Sequence, residues 1–418
     1  MKIIADLHIH SKYSRATSKQ MEPIALDFWA RKKGIDLIAT GDFTHPKYLV
    51  ELKEQLSEDG SGFLTLKNTD AKVKFILSGE ISCIYTDKGK TRRIHLLILA
   101  PDFVTVEKIN NALTELKCNL KSDGRPIVGL TAKRVAQICF DANEKTMVIP
   151  AHIWTPWFSV FGSKSGYDSL EECFEELTPK IFAAETGLSS DPAMNWRLSA
   201  LDRITLISNS DAHSPANLGR EANVFEFESF NYEELRDVLK NKDKNKFLYT
   251  IEFFPQEGKY HYDGHAVCKF SCSPDENKKK HHDVCPVCKK KLTIGVEHRV
   301  VDLADRELGF VPQNIISFKS IIPLQEIIAE SMNKRKSCKG VGVLYEEMTN
   351  KRSEFEILLE MNEKEIELIS NKTIAAAIFR MRSGKVFAQA GYDGEYGVIK
   401  VFSEKENEAR SALQKNLF

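Results

Sequence analysis

The sequence predicts an α/β protein whose first 250 residues form a barrel of strands and helices. Seven short apolar segments have the length and composition of β-strands, and helix-like segments lie between several of them. Alternation of this kind is typical of parallel β/α units. Six of the seven strands carry a His, Asp or Glu within or just after their C-terminal ends, where β/α barrels build their sites. The segments are KIIADLHIH (2–10), IDLIATGD (35–42), VKFILSGEIS (73–82), RIHLLILA (93–100), TMVIPAH (146–152), KIFAAET (180–186) and TLISNSDAH (205–213), with helices expected at 21–33, 104–118, 131–142 and 195–202.

Length and charge bound the possibilities further. The chain has 418 residues, more than the roughly 250 to 300 at which a single core stops growing, so several domains are expected. We place their boundaries at 1–250, 251–318 and 319–418. Lys plus Arg and Asp plus Glu both total 59, so any polyanion must bind through local patches. The sequence contains no apolar run of membrane-spanning length and no signal-peptide pattern, which predicts a cytoplasmic protein without membrane contact.

Four clustered cysteines mark the second domain. Cys268, Cys272, Cys285 and Cys288 are spaced C-x3-C…C-x2-C, which predicts a structural zinc site with four thiolate ligands. Residues 259–299 also contain nine Lys or Arg against five Asp or Glu, a positive excess that favours contact with a phosphate backbone. A solvated basic surface is the alternative interpretation. No internal repeat is identified.

The third domain is predicted to be mainly helical. The segments 321–332, 352–361 and 372–381 have helical spacing of apolar residues. A Gly/Tyr-rich stretch, AGYDGEYGVIKVF (390–402), predicts a short hairpin before a polar, frayed tail. We expect this domain to contribute to DNA binding.

The first domain carries too many potential ligands for one metal. Neutral imidazoles and carboxylates at neighbouring strand ends suit Zn, Mn or Fe, and one metal takes only three or four protein ligands. Metals ~3.5 to 4 Å apart activate a bridging water and stabilise a phosphoryl displacement. The pattern therefore predicts two or three metals and phosphoester hydrolysis. The candidates are His8, His10, Asp42, His45, Glu80, His95, His152, Glu185, Asp211 and His213.

The ordered motifs DLHIHSKYS, TGD, SGEIS, IHLL, PAH and SDAH resemble those of the PHP (polymerase and histidinol phosphatase) superfamily. This resemblance implies a distorted seven-stranded β/α barrel with a trinuclear metal site. It assigns His8, His10, Glu80 and Asp211, the expected catalytic residues, to one metal, and Glu80, His95 and His152 to a second. His213 and Asp42 would hold the third metal. Many members of the superfamily have T-D-H where this chain has Thr40-Gly41-Asp42, so His45 is an alternative to Asp42 as this ligand. Glu185 is either a ligand or a partner of one.

The whole chain, including RATSKQM, TGDFTHP and GYDGEYGVIKVF, resembles the endonuclease Q family of DNA repair enzymes from archaea and some bacteria. The resemblance implies cleavage on the 5′ side of deaminated bases (hypoxanthine, uracil, xanthine) or abasic sites. The resemblance also implies that the protein acts at the nucleoid of a prokaryotic cell. A replication or repair protein is a candidate partner in addition to DNA. Zinc is the expected metal at the catalytic cluster, with Mg or Mn as alternatives.

Three points stay open from the sequence. Trp154, Trp157, Phe158 and Phe161 can wall a pocket for an extruded base, although packing of most of them within a long loop is favoured. A phosphatase for small phosphomonoesters is the alternative function, and it would need little beyond the barrel. A DNA-binding protein that keeps the barrel only as a scaffold is disfavoured, because the core ligand set is intact.

Overall fold

The computed structural model describes residues 1–67, 72–403 and 405–407. All seven predicted strand segments form strands, which are β1, β2, β5, β6, β8, β9 and β10 of the structure. The strands are β1 (Lys2–Asp6), β2 (Leu37–Ala39), β3 (Leu56–Glu58), β4 (Leu64–Leu66), β5 (Lys74–Asp87), β6 (Lys90–Ala100), β7 (Ile127–Val128), β8 (Met147–Pro150), β9 (Ala183–Glu185), β10 (Thr205–Ile207), β11 (Ala222–Glu226), β12 (Phe247–Glu252), β13 (Asp263–His265), β14 (Phe270–Cys272), β15 (Ser317–Ser320), β16 (Phe387–Gln389) and β17 (Val398–Lys400).

Of the four helices predicted in the first domain, three form in the structure. The segment 195–202 is an exception, because Leu198 has an extended backbone that separates a short helix from a 3₁₀ turn. The helices are α1 (Pro23–Lys33), α2 (Pro46–Gln55), α3 (Phe103–Glu115), α4 (Ala132–Ala142), α5 (Leu170–Phe174), α6 (Pro192–Asn195), α7 (Tyr232–Asn241), α8 (Pro274–Glu276), α9 (Val296–Leu303), α10 (Leu324–Ser331), α11 (Lys339–Thr349), α12 (Glu363–Ile369) and α13 (Lys372–Arg382). Single 3₁₀ or π segments are Glu175–Lys180, Ser199–Leu201, Pro215–Asn217, Pro255–Glu257, Ala266–Cys268, Asn277–His281 and Glu356–Glu360.

Local side chains explain where the barrel helices begin and end. Asp102 accepts a hydrogen bond from the backbone N–H of Thr105 at 2.6 Å, and so caps the start of α3. The Thr131 hydroxyl caps α4 in the same way. Gly34 ends α1 with φ 85°, a left-handed conformation that lets its N–H bond back to the carbonyl of Ala30.

The seven strands are ordered β1-β2-β5-β6-β8-β9-β10. Continuous ladders join β1 to β2, β2 to β5, β5 to β6, β6 to β8 and β9 to β10. In the described residues no ladder joins β8 to β9 or β10 to β1, and isolated backbone hydrogen bonds at or just after the strand ends connect these pairs. The N–H of Ile153 donates to Glu185 at 3.0 Å, and that of His10 donates to Ala212 at 3.0 Å. These ladders and isolated contacts place the seven strands side by side in the order that the predicted barrel requires, but within the described residues the ladders do not close into a complete barrel.

The parallel pairing that the β/α alternation predicts does not extend to β6, which runs antiparallel to both β5 and β8. A two-residue turn at Lys88 and Gly89, both with positive φ, connects β5 to β6 as a hairpin. The beginning of β6 therefore lies beside the end of β5, and the register places His95 opposite Ser82. Because β6 is antiparallel, His95 near its start lies beside the C-terminal ends of the neighbouring strands, where the other candidate ligands are.

The C-terminal region combines the expected helices with a strand that extends the barrel sheet. Strand β15 pairs in parallel with β12, which in turn pairs with β11. The predicted helical segments form α10, the π segment at 356–360 and α13, and the predicted hairpin is β16–β17. Most of the predicted frayed tail lies outside the described residues. Among the residues described, no helix combines the length and the apolar character that crossing a membrane requires.

Candidate active site

His8 and His10 follow β1 and point toward Asp211, which follows β10. The two imidazole centroids are 5.4 Å apart, and His10 Nε2 lies 3.0 Å from Asp211 Oδ1. The backbone holds this arrangement, because the N–H of Asp211 donates to the carbonyl of His8 at 2.9 Å. One ligand atom from each of the three residues lies within 4.8 Å of the others, and we name them the first ligand group.

Glu80, His95 and His152 form the second ligand group, and their ligand atoms also lie within 4.8 Å of one another. Glu80 Oε1 is 2.6 Å from His95 Nδ1 and 3.1 Å from His152 Nε2. The other oxygen, Oε2, lies 3.3 Å from His10 Nε2 in the first group. Glu80 therefore lies between the two groups, in a position from which it can contact a metal in each. The resemblance to the PHP superfamily assigns it to both metals.

Glu185 sits behind the first ligand group and orients it. Its carboxylate accepts a hydrogen bond from His8 Nδ1 at 3.0 Å, from Asn209 Nδ2 at 2.9 Å and from the backbone N–H of His152 at 2.9 Å. Because Nδ1 of His8 is held by Glu185, Nε2 is directed into the group. Of the two roles expected for Glu185, this geometry favours that of a partner.

Glu185→Gln is expected to weaken the binding of Mn²⁺ by about 10- to 100-fold, because the amide holds the His8 imidazole less firmly than the carboxylate does. Calorimetric titration of chelator-treated protein measures this affinity. Glu176→Gln is the matched control, because the Glu176 side chain is 67% exposed and pairs with Lys133 at the surface, away from the ligand groups. Equal Mn²⁺ affinity in the two variants would contradict the orienting role.

Asp42, which was expected to hold the third metal with His213, lies behind His10. Its carboxylate accepts hydrogen bonds from Ser11 N–H and Ser11 Oγ, both at 2.6 Å, and from Ser14 Oγ at 2.9 Å, and it lies 3.1 Å from His10 Nδ1. Within the described residues, no converging ligand group contains both Asp42 and His213. Asp42 therefore orients His10 as Glu185 orients His8.

His213 and His45 occupy different positions around this centre. The His213 ring packs on His10 at a centroid distance of 4.5 Å, and its Nδ1 lies 2.9 Å from the carbonyl of Asp211. His45 precedes α2 and stacks on Tyr13 at a centroid distance of 4.2 Å. The third metal remains a prediction for these residues.

Three atoms of the first ligand group are buried without an aligned hydrogen-bond partner among the described residues: His8 Nε2, His10 Nε2 and Asp211 Oδ1. Leaving buried polar atoms unpaired is costly, so such atoms require an explanation. A divalent metal supplies it, because imidazole nitrogen and carboxylate oxygen are donors suited to Zn or Mn. The donor set thus fits the metal that the sequence pattern predicts.

The electrostatics of the two groups differ. Burial acts to lower the pKa of His8, but the carboxylates of Glu185 and Glu80 outweigh it and the pKa is raised. Burial dominates at His95 and lowers its pKa to about 4, which keeps this imidazole neutral. Burial would raise the pKa of Asp211, yet the neighbouring His10 and His8 hold it below the ordinary value. The carboxylates at the centre are thus anionic and ready to bind a cation.

Arg125 is a polar neighbour that the sequence did not reveal. Its Nη1 lies 3.0 Å from Glu80 Oε2, and Glu80, the largest cause, raises the pKa of Arg125. The preceding Gly124 packs so closely that an added Cβ would lie 2.3 Å from Asp42 Oδ2. A lone arginine in the loop SDGRPIV has no periodicity or spacing that marks it as functional.

A cavity of about 810 Å³ opens over the two ligand groups. His95, His152 and Asp211 lie on its floor, and the aromatic side chains of Trp157, Phe158, Tyr260 and Tyr396 line it. Basic side chains stand around it at Arg15, Arg125, Arg220, Lys259 and Lys336. The cavity thus combines aromatic walls with cations that suit a phosphate-bearing ligand.

The aromatic loop after His152 divides between the two expected roles. Trp154 and Phe161 are buried and pack on each other with ring centroids 4.9 Å apart. The indole N–H of Trp154 donates to Asn195 Oδ1 at 2.7 Å, which satisfies its polar atom. Trp157 and Phe158 face the cavity. Packing therefore explains two of the four rings, and the other two are available to a ligand.

The cysteine module holds a third convergent group. Cys268, Cys285 and Cys288 come together with His265, which the sequence analysis missed, and their ligand atoms lie within 4.8 Å of one another. Cys272 packs with Cys285 and Leu292 in the small apolar core of the module. The burial of Cys272, the largest cause, raises the pKa of its thiol to about 12.

Solved structures resemble the chain over nearly its full length. The lesion-specific endonuclease PfuEndoQ from Pyrococcus furiosus is 31% identical and superposes with a TM-score of 0.85, covering 97% of this chain and 96% of that one. A complex of endonuclease Q with a 27-mer duplex that carries an abasic lesion at the active site matches with the same identity and TM-score.

Two relatives and a family model add to this likeness. The uncharacterized protein YqxK of Bacillus subtilis is 29% identical over 423 residues, covering 96% of this chain and 99% of its own length. The uncharacterized protein MJ0043 of Methanocaldococcus jannaschii is 32% identical over 262 residues, which cover 60% of this chain and 32% of that protein. The model of the MJ0043 C-terminal domain matches residues 323–385.

The two ligand groups and these similarities define an enzyme of the nuclease and phosphodiesterase class. The chain belongs to the endonuclease Q family. This result confirms the resemblance that the sequence motifs indicated.

Proposed function

We propose that the protein is a metal-dependent DNA repair endonuclease that hydrolyses the phosphodiester 5′ to a deaminated base (hypoxanthine, uracil or xanthine) or an abasic site. The observation that carries this proposal is the pair of ligand groups beneath a cavity whose lining includes aromatic rings and several arginine and lysine side chains. The full-length likeness to a lesion-specific endonuclease supports the choice of substrate. The complex of endonuclease Q with an abasic duplex supports DNA as the ligand.

Each ligand group would hold a metal by the residues already described. His8, His10 and Asp211 would hold one ion, and Glu80, His95 and His152 a second, with Zn, Mg or Mn as the candidates. When bound, such ions lower the pKa of a water and neutralise charge on the phosphoryl oxygens. Glu185 and Asp42 keep the two imidazoles of the first group oriented. Arg125, beside Glu80, would place a fixed cation next to the scissile phosphate.

The cavity would select the lesion by two physical effects. Extruding a base from a duplex costs a few kcal/mol, and the cost is lowest for a mispaired or missing base. Trp157 and Tyr260, whose rings meet edge to face at 5.6 Å, offer surfaces on which an extruded base can stack. Undamaged, paired nucleotides would reach the ligand groups far less often.

The decisive experiment compares labelled duplexes that carry one deoxyinosine, one deoxyuridine, one abasic site or no lesion, with Mg²⁺ or Mn²⁺ present. The expected result is one nick immediately 5′ of the altered nucleotide, leaving 3′-hydroxyl and 5′-phosphate ends, because an activated water attacks phosphorus and the 3′ oxygen leaves. Sequencing gels and end-labelling report the position and the end groups. Histidinol phosphate serves as the small-substrate comparison.

Two outcomes would contradict the proposal in different ways. Equal cleavage of the undamaged duplex would indicate a general nuclease. Hydrolysis of histidinol phosphate alone would indicate a small-molecule phosphatase with the same metal chemistry.

A further inference from the structure

Tyr396 is an exposed aromatic residue at the opening of the cavity. In the part of the chain that the structure describes, two large apolar residues are both well exposed to solvent and part of the cavity lining, namely Ile127, at 56% exposure, and Tyr396, at 70%. Trp157 and Tyr260, which also line the cavity, are only partly exposed. A ligand that binds over the cavity can therefore bury new apolar surface against the ring of Tyr396.

The backbone that carries Tyr396 is held in place by the segment before the cysteine module. Tyr396 lies in the turn 390–397, which connects β16 to β17 and contains the sequence GYDGEYG. Three backbone hydrogen bonds join this turn to residues 256–259. They run from the N–H groups of Gly391, Gly397 and Gly394 to the carbonyls of Gln256, Glu257 and Lys259, at 2.8, 3.0 and 2.9 Å.

Two glycines of the turn are required by this close approach of two backbones. A Cβ added at Gly391 would lie 2.4 Å from the carbonyl oxygen of Gly258, and one added at Gly397 would lie 2.1 Å from that of Gln256. Only glycine allows such contacts without moving the chain. The glycine content of the motif thus serves to pack the turn and not to make it mobile.

Asp393 attaches the same turn to the cysteine module. Its carboxylate accepts a hydrogen bond from the backbone N–H of Ala266 at 2.7 Å and another from the Thr293 hydroxyl at 2.6 Å. Hydrogen bonds to a charged carboxylate are among the stronger ones in proteins. The turn is therefore held from two sides, and Tyr396 projects from a backbone of fixed position.

A lysine accompanies the exposed ring. Lys259 Nζ lies 4.4 Å from the centroid of Tyr396, and both residues line the cavity. A nucleotide in a strand offers a flat base next to a charged phosphate, so it can contact an aromatic ring and a cation at the same time. The pair of Tyr396 and Lys259 has the chemistry to contact a nucleotide in this way.

Extruding a nucleotide from a duplex creates a need that such a ring can meet. The bases on either side of the extruded nucleotide lose a stacking partner, and this loss is part of the cost of extrusion. A protein side chain that enters the stack recovers some of the lost contact. It has to be flat or apolar, exposed, fixed in position and next to the cavity that receives the nucleotide, and Tyr396 combines these properties.

We propose that Tyr396 enters the base stack at the place that the extruded nucleotide leaves, and stacks on the base beside it. This inference rests on the proposed function, since it requires a nucleotide to be extruded into the cavity. Trp157 and Tyr260 would then contact the extruded base, and Tyr396 the bases that stay in the duplex. Because an undamaged, fully stacked duplex has no such gap, Tyr396 contributes to the preference for lesions and not to general DNA affinity.

The test measures the affinity of full-length variants for two duplexes of the same sequence, one with a single deoxyuridine and one undamaged. Fluorescence anisotropy under conditions in which the DNA stays intact gives both dissociation constants. Tyr396→Ala is expected to weaken binding of the deoxyuridine duplex by about 10-fold, the effect of losing one stacked base, and to leave binding of the undamaged duplex unchanged. That unchanged affinity also shows that the variant is folded. Tyr396→Phe should keep both affinities, because it keeps the ring.

Phe387→Ala is the matched control. Phe387 lies on β16 of the same hairpin and is 48% exposed, but it does not line the cavity, so its loss should change neither affinity. An equal loss for both duplexes in Tyr396→Ala would indicate a general DNA contact and overturn the inference. A loss in Tyr396→Phe as large as in Tyr396→Ala would overturn it too, since the hydroxyl and not the ring would then be responsible.

Two further outcomes separate this inference from the proposed function. If Ile127→Ala lowers the preference for deoxyuridine and Tyr396→Ala does not, the role belongs to Ile127 and the inference is wrong, while the proposed function stands. If the unmodified protein neither prefers nor nicks the deoxyuridine duplex, the proposed function fails, and the inference fails with it.

Discussion

Replacing Asp211 by asparagine is expected to reduce cleavage of a lesion-containing duplex by more than about 1,000-fold, with little change in DNA affinity. The carboxylate is the only anionic member of the first ligand group, and its Oδ1 lies 3.0 Å from His10 Nε2 and 4.0 Å from His8 Nε2. The amide keeps the shape of the side chain but removes its charge. Single-turnover cleavage and fluorescence anisotropy with the same duplex separate the two effects.

Asp237→Asn is the matched control for this change, because Asp237 lies on α7 with its side chain 63% exposed. It should cleave at the rate of the unmodified protein. Nearly normal activity in Asp211→Asn would show that Asp211 does not hold a metal. A parallel loss of DNA binding would instead show that the carboxylate supports the shape of the cavity.

Lys33→Met is expected to lower the free energy of unfolding by about 3 kcal/mol. Lys33, at the end of α1, pairs with Glu354 of the C-terminal region at 2.6 Å, and both side chains are nearly fully buried. Glu354 also accepts hydrogen bonds from Tyr345 Oη at 2.6 Å and from the backbone N–H of Leu324 at 3.0 Å. Removing the lysine leaves a buried carboxylate without its cation. Denaturant unfolding monitored by tryptophan fluorescence measures the change.

Lys53→Met is the control for the ion-pair effect. Lys53 pairs with Glu107, and the two side chains are 38% and 49% exposed, so its loss should cost less than about 1 kcal/mol. Equal destabilisation in the two variants would show that the pair between Lys33 and Glu354 contributes no more than a surface pair.

The strands and the two ligand groups could be predicted because their signals are local. Each predicted strand is a short apolar run, and alternation along the strand places His8 and His10 on one face. The direction of β6 does not follow from the composition of its segment, because strand direction depends on pairing. The local feature that sets this direction is the hairpin turn at Lys88 and Gly89.

Partners that act across the fold were harder to infer. Asp42 has a left-handed backbone conformation, with φ 45°, and its side chain contacts His10. The motif TGD does not specify this conformation. Arg125 reaches Glu80 from a loop whose course is set by tertiary packing. His265, in contrast, was readable in principle, since aligning the chain with itself at an offset of twenty residues pairs it with Cys285. The expectation of four thiolate ligands followed from the spacing of the cysteines and therefore did not include this histidine.

The walls of the cavity come from widely separated parts of the chain. Arg15 and His152 belong to the barrel domain, Tyr260 to the start of the cysteine module, and Lys336 and Tyr396 to the C-terminal region. A truncated gene product ending near residue 250 would keep the ligand groups but lose their enclosure. An engineered version that keeps both ligand groups and the lining of the pocket must therefore span at least His8 to Tyr396, so miniaturising this enzyme means shortening surface loops and not removing domains.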